Sequence, residues 1–405
     1  MLIKHLTTPI EWLLPARLME NALARLPFHQ LTHGTLSVSY LGQTHRFAGD
    51  FAGHSADLTI HRMLRFAWLV KTQGELGFAQ AYLEQSIDTP SLYHLMHFAH
   101  QNREALSHLL DNDKPVGRWH KWRHQRRHNS LRNARRNIAA HYDLGNDFYR
   151  LWLDDSMSYS SALFDDTQDL GDAQQAKYGR LLDQLQARPG ESILEIGCGW
   201  GAFARLAASR GHKVKGLTLS HQQKRWADHR LQQAGLAENT DIALQDYRHE
   251  TGQYDHIVSI EMFEAVGKEY WQTYFAQLQK NLKPQGKVAL QIITIDDDQA
   301  ENYQSQVDFI QAYVFPGGLL PSLSQLHHLA MDHGFEITDQ FAFGQDYAHT
   351  LQKWLMRFNQ QSRNLETLGY DQTFQRLWRY YLDYCRVGFE SEHINVYQIT
   401  LEKRL

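Results

Sequence analysis

From residue 192 to residue 295, short apolar runs alternate with stretches whose apolar positions recur every three or four residues. The pattern predicts buried strands at 193–196, 214–217, 242–245, 257–260 and 287–295, with helices over 202–209, 221–235 and 270–281 between them. Strand and helix in alternation make an α/β domain with a doubly wound, mostly parallel sheet. A long insertion at 297–365 follows, then a helix at 370–386 and a strand at 394–401.

The first third of the chain reads differently. Residues 1–30 carry an amphipathic helical pattern (Trp12, Leu13, Leu14, Leu18, Leu23, Leu26) suited to packing on a domain rather than entering a membrane. Runs at 34–40 and 44–47, split by Leu41-Gly42-Gln43, predict a hairpin, with a third strand at 57–61. Helices are expected at 63–72, 77–85 and 91–110, the last opened by Thr89-Pro90. The boundaries drawn are a small α+β helper domain at 1–112, suited to docking on lipid, a linker at 113–136 and a catalytic domain at 137–405.

Charge changes this picture at one place. The chain has 405 residues and a net charge of −4, yet Lys114 to Arg136 holds nine Lys/Arg and no Asp or Glu. Trp119 and Trp122 sit among these cations. Cations interleaved with indoles suit an anionic phospholipid interface. A nucleic acid, or a plain solvated linker, is the competing reading.

Composition excludes several classes. The two cysteines, Cys198 and Cys385, give neither a disulfide framework nor a metal cluster, which fits a reducing cytoplasm. The 24 histidines show no ligand spacing, so no metal is expected. Charges at Glu11, Arg17, Glu20 and Arg25 argue against a secretory leader, and no apolar run is long enough to span a bilayer.

Candidate chemistry gathers around the first predicted strand. It ends in Glu195 and Gly197-x-Gly199-x-Gly201, and the helical run Ala202, Phe203, Leu206, Ala207 follows. This is a strand, a tight turn and a helix start, a site where a ligand can touch backbone. The spacing is not the G-x-G-x-x-G of dinucleotide sites, and the second strand ends Gly216-Leu217-Thr218-Leu219-Ser220 without an acid for a ribose. An acid beside the glycines (Glu195) and another after the third strand (Asp246) suit S-adenosylmethionine, whose sulfonium and ammonium are cationic.

The chain resembles the cyclopropane-fatty-acyl-phospholipid synthases and, more loosely, the mycolic acid cyclopropane synthases and methyltransferases. The resemblance rests on His141-Tyr142-Asp143-Leu144-Gly145-Asn146-Asp147-Phe148-Tyr149, Met157-Ser158-Tyr159-Ser160-Ser161-Ala162, Leu194 to Phe203, Gln245-Asp246-Tyr247-Arg248, Met262-Phe263-Glu264-Ala265-Val266-Gly267, Phe315-Pro316-Gly317-Gly318-Leu319-Leu320-Pro321 and Phe343-Gly344-Gln345-Asp346-Tyr347. It implies methyl transfer from S-adenosylmethionine to a cis double bond of a membrane lipid acyl chain, then proton loss. It also implies that Tyr159 and Ser160 lie over the cofactor and that Glu195, Gly197, Gly199 and Gly201 line its amino-acid part. Thr218, Leu219 and Gln223 would hold the ribose, with Asp246 and Tyr247 near the adenine. Tyr149, Trp152, Tyr159, Phe263, Phe315 and Tyr347 are candidates for a pocket that stabilises a carbocation.

In the family a bound bicarbonate takes the proton, held by a Cys, a Glu, a His, an Ile and a Tyr. Glu264, Ile295 and Tyr347 stand at three of these positions, but Ser161 replaces the Cys and Ile293 the His. The resemblance therefore leaves bicarbonate in question and makes Glu264 the natural substitute base. Either a cyclopropane or a methylated chain would follow. Cys385 matches a family cysteine once proposed as catalytic, against the simpler reading of a buried helical thiol. The implied partners are unsaturated phospholipid, an anionic membrane surface on the cytoplasmic face and a second copy of the chain, with no nucleic acid. A weakly catalytic lipid-binding protein is the rival of another class. An RNA methyltransferase would need a different motif where Glu261-Met262-Phe263-Glu264 stands.

Overall fold

A computed structural model describes residues 27–110, 144–165 and 167–404. Most of the amphipathic stretch at 1–30, the basic linker at 113–136 and His141-Tyr142-Asp143 lie outside the described residues. The chain forms two compact units, which interleave along the sequence.

The first unit carries a four-stranded sheet in the order β2-β1-β3-β4. Strands β1 (His33–Tyr40) and β2 (Gln43–Ala48) are the expected hairpin. Leu41 and Gly42 turn it with φ of 48° and 80°, the positive pair that a two-residue hairpin needs. β3 (Phe51–Ile60) runs parallel to β1 and starts earlier than expected, and β4 is the short Ile87–Asp88. Where one helix was expected over 91–110 there are two, Leu92–Gln101 and Arg103–Leu110. Asn102 separates them. Its side chain accepts from the N–H of Thr32 (2.8 Å) and His33 (3.0 Å) and donates to the carbonyls of His33 and Phe98. Such a side chain competes with the helix for backbone partners.

Two later segments, Gln306–Ala312 and Gly369–Val387, belong to this unit, so the contiguous boundaries drawn from the sequence do not follow its packing. Most of helix Gln372–Glu390 is here because one face of it is aromatic and cationic toward the first unit. The Arg376 guanidinium lies 3.7 Å over the Tyr82 ring and donates to the Tyr82 carbonyl at 2.9 Å, while Tyr380 packs against Phe309.

The second unit is built on a seven-stranded sheet in the order β10-β11-β9-β8-β5-β6-β7. β5 (Ser192–Ile196), β6 (Lys213–Thr218), β7 (Thr240–Leu244), β8 (Tyr254–Ile260) and β9 (Leu282–Ile295) are parallel neighbours. β10 (Phe335–Ala342) and β11 (Ile394–Lys403) close the edge in antiparallel pairing. One face of the sheet is covered by helices including Trp271–Asn281 and Leu323–Asp332, the other by helices including Leu170–Leu185 and Ala202–Ser209.

β9 starts at Leu282 rather than 287, because Pro284 and Gly286 hide its alternation and its register with β8 shifts there. The segment read as an insertion at 297–365 is in part the sheet itself, since it contains β10. β10 is an edge strand with alternate residues exposed, which is why no buried run marks it.

From β5 the chain moves outward through β6 to β7, then crosses back to β8 on the other side of β5. The carboxyl ends of β5 and β8 therefore flank the switch point, where ligands bind in open α/β sheets.

Candidate active site

The loop after β5 is held open by its glycines. Gly197 (φ +83°) and Gly201 (φ +82°) adopt conformations that L residues rarely take, and a Cβ on them would lie 2.8 Å from Met262 Cγ and 2.9 Å from Ala227 Cβ. A Cβ on Gly199 would meet nothing within 4 Å, so the loop presents bare backbone there. The N–H groups of Gly197 and Cys198 are tied to the Leu217 carbonyl at 3.0 and 2.9 Å. The Trp200 indole donates to Asn146 at 2.8 Å, which joins the loop to the Leu144–Tyr149 motif.

Glu195 lies beneath this loop, 3% exposed, and its Oε2 has no hydrogen-bond partner. Burial pushes its carboxyl up to about 8, opposed by Lys177. An orphaned acid under bare backbone fits a cationic amino-acid moiety such as that of S-adenosylmethionine. Thr218 Oγ1 and Gln223 Oε1 are paired at 2.7 Å at the end of β6, and Leu219 is half-buried beside them. Asp246 follows β7, but its carboxylate is taken by Arg248 (2.7 and 2.9 Å) and caps the turn that carries Tyr247. Burial raises the Tyr247 hydroxyl, which has no partner. These residues would hold the cofactor, which supplies a methyl group activated on a sulfonium.

The end of β8 carries a second cluster. Glu261 stands directly after the strand with φ +48°, a strained value for a side chain of this size. Its Oε1 accepts from the Ser161 N–H (2.8 Å) and from Gln291 Nε2 (2.7 Å), and its Oε2 from the Tyr347 hydroxyl (2.6 Å). Glu264 lies one turn on. Its Oε1 accepts from the Ile293 N–H at 2.5 Å and its Oε2 is buried without a partner. Burial, and then the charge of Glu261, push Glu264 up to about 8. Burial also raises Glu261, against Lys177 and the three donors. Two carboxylates so placed resist double ionisation, and hydrogen-bond donors favour the charged form of the one that has more of them. Glu261 has three, Glu264 the Ile293 N–H.

Lys177, fully buried in helix Leu170–Leu185, donates to Ser160 Oγ at 2.6 Å. Burial pulls its ammonium down to about 7, opposed by Glu261, Asp154 and Glu195. The glycine-loop end and the Glu261 end therefore share one buried lysine.

Aromatic rings adjoin both ends. Tyr159 packs on Tyr149 (5.4 Å), Trp152 (5.5 Å), Trp354 (5.4 Å) and Phe315 (6.4 Å), and Tyr347 edges Trp354 at 6.2 Å. Ring faces of this kind tolerate a neighbouring cation. Phe263, expected among them, is instead a core residue, 1% exposed between Trp271, Tyr274 and Phe275. The 3-10 turn Phe263–Ala265 places it in the sheet's core, while Glu264 reaches the Ile293 N–H.

The residues do not fit a free bicarbonate. The Ser161 hydroxyl donates to the Ala162 carbonyl and its N–H to Glu261. The N–H groups of Ile293 and Ile295 go to Glu264 and to the Pro321 carbonyl, and the Tyr347 hydroxyl goes to Glu261. Every donor expected for the anion is already used, and two acidic side chains stand in the same space.

Cys385 lies in the first unit, and burial with the nearby Asp308 pushes its thiol far up. A thiol so held is no nucleophile at neutral pH. Sequence reasoning assigned no role to Glu261, Gln291, Lys177 or Trp354. The available signals were an acid closing a buried strand and a lone Lys on the apolar stripe Ala173, Lys177, Leu181.

The fold and the two strand-end clusters define a class I S-adenosylmethionine-dependent methyltransferase. The chain belongs to the mycolic acid cyclopropane synthetase family, whose model matches residues 129–399. It is 37% identical to the tuberculostearic acid methyltransferase UfaA1 of Mycobacterium tuberculosis over 93% of this chain and 90% of that protein. It is 39% identical to the cyclopropane-fatty-acyl-phospholipid synthase of Escherichia coli over 65% of this chain and 66% of that one. Among solved structures, mycolic acid cyclopropane synthase CmaA1 complexed with SAH and CTAB superposes with a TM-score of 0.62 at 30% identity, covering 66% of this chain and 98% of that chain.

Proposed function

We propose that the enzyme transfers the methyl group of S-adenosylmethionine to the cis double bond of an unsaturated phospholipid acyl chain, giving a chain one CH₂ heavier. The observation that carries this is the Glu261–Tyr347 pair set against the Tyr159–Trp354 rings: an acceptor for a proton beside a wall that tolerates a cation. An alkene is a weak nucleophile, so positioning supplies much of the rate, and the buried rings exclude water from the cation that forms. The names of the relatives from M. tuberculosis and E. coli, a tuberculostearic acid methyltransferase and a cyclopropane-fatty-acyl-phospholipid synthase, support this substrate class.

The basic stretch Lys114 to Arg136, with Trp119 and Trp122, brings the enzyme to anionic lipid on the cytoplasmic face of a membrane. Among the described residues no helix is long and apolar enough to cross a membrane. Vesicles of dioleoylphosphatidylglycerol with methyl-labelled S-adenosylmethionine test both statements. Label should enter the acyl chain, and binding should weaken with salt. Label found only in headgroup or protein would refute the acyl assignment; binding indifferent to salt and lipid charge would refute the docking. A cyclopropane proton signature, or its absence, separates ring from branch.

A further inference from the structure

We propose that the carboxylate of Glu261 takes the proton lost after methyl transfer, so that this enzyme carries its base within the chain and needs no dissolved carbonate. The inference rests on the acyl-chain methylation proposed above and deepens it.

Four observations converge on this residue. Its carboxylate is gripped by three donors from three separate segments: Ser161 N–H, Gln291 Nε2 and Tyr347 hydroxyl. These donors would otherwise face an anion, and the chain supplies its own. Its backbone is held at φ +48°, with its N–H bonded to the Gln291 carbonyl at 2.7 Å. A left-handed conformation is strained for a non-glycine residue, and such strain gathers where position matters for function. The ring of Tyr347, whose hydroxyl it holds, edges Trp354, and Trp354 packs on Tyr159. The carboxylate thus borders the rings that would face the cation. Burial raises its carboxyl, and Lys177 and the three donors oppose that rise, whereas the Glu264 carboxyl accepts from the Ile293 N–H and is pushed up to about 8.

The electron count closes without another reagent. The alkene π pair forms the new C–C bond as the C–S bond breaks, which leaves S-adenosylhomocysteine and a cation on the acyl chain. A C–H bond beside the cation then gives its proton to Glu261 and its electron pair to the chain. The pair closes a three-membered ring if the proton leaves the new methyl group across from the cation. It makes a double bond if the proton leaves a carbon adjacent to the cation. Glu261 returns the proton to water between turnovers.

The test compares wild type, Glu261→Gln and Glu261→Gly on unsaturated phosphatidylglycerol vesicles, in buffer stripped of carbon dioxide and again with millimolar bicarbonate. Glycine suits φ +48°, so the second variant keeps the fold even if the first does not. Wild type should run equally fast in both buffers. Glu261→Gln should lose about 100-fold or more, the usual worth of a general base, while still binding S-adenosylhomocysteine by calorimetry. Glu261→Gly should lose as much and recover about tenfold with bicarbonate, which refills the vacated donors. Titration with ¹³C-bicarbonate, read by NMR, should show binding to Glu261→Gly and none to wild type.

A wild type that needs added bicarbonate or binds it, or a Glu261→Gln enzyme of normal rate, overturns the proposal. A wild type that labels no acyl chain in either buffer overturns the methylation reading instead, and the bicarbonate titration then still decides whether Glu261 fills the anion's place.

Discussion

The ends of β5 and β8 are neighbours in one sheet, yet they are built by different means. The β5 end is local: a strand, three glycines and a helix start, within twelve consecutive residues from Ser192 to Phe203. The β8 end is assembled from afar: Glu261 meets Ser161, Gln291 and Tyr347, up to 100 residues away in the chain, and Glu264 meets Ile293. The first is shaped by what is missing, side chains that would fill it. The second is shaped by what is present, donors that would be unsatisfied without their acids. Binding and turnover should therefore fail separately.

The sharpest break is at the β5 end. Gly197→Val should weaken S-adenosylhomocysteine binding by about 100-fold or more, measured by calorimetry, because a Cβ there strikes Met262 and the φ is forbidden to a β-branched residue. Tyr347→Phe should show the opposite signature. Cofactor affinity stays, while kcat falls about tenfold, the worth of one charge-assisted hydrogen bond. Losing a donor raises the Glu261 pKa, so the acid limb of the pH–rate profile should move to higher pH. Were both variants to lose affinity and turnover together, the two ends would be one mechanical unit.

A third measurement probes the buried acids. The carboxyls of Glu195 and Glu264 rise from 4.5 to about 8 on folding, so the folded chain holds their protons more tightly. Their contribution to stability is complete below about 4.5 and is lost as pH rises through 8. The melting temperature of the ligand-free enzyme should fall on going from pH 5 to pH 8.5, by a few °C less in Glu195→Gln than in wild type. An equal fall in both would mean that Glu195 is already charged. The smallest effect belongs to Cys385→Ser, which should keep activity within about twofold, since the thiol is protonated and lies in the other unit.

What could be read ahead of the structure follows the same division. The helix at 202–209 and the parallel strands were legible because apolar periodicity is a local signal. The glycines and Glu195 were legible for the same reason. Glu261 was not, since nothing near it in the chain names its donors. Ser161 looked like a substituted anion ligand because its hydroxyl was considered and its N–H was not. Phe263 looked like a pocket residue because a single 3-10 turn decides which way it faces. The break at Asn102 and the strand β10 escaped because one depends on a side chain bonding Thr32 and the other is only half buried.

The interleaving of the two units also dictates when they can form. β11, at Ile394–Lys403, sits between β9 and β10, so the large sheet stays split until those residues have left the ribosome. The first unit likewise lacks Gly369–Val387 until then. Neither half can finish folding until its late segments have been made. A nascent chain of this enzyme therefore carries two incomplete cores through most of its synthesis, and a premature stop before residue 369 would leave both unfinished rather than one usable domain.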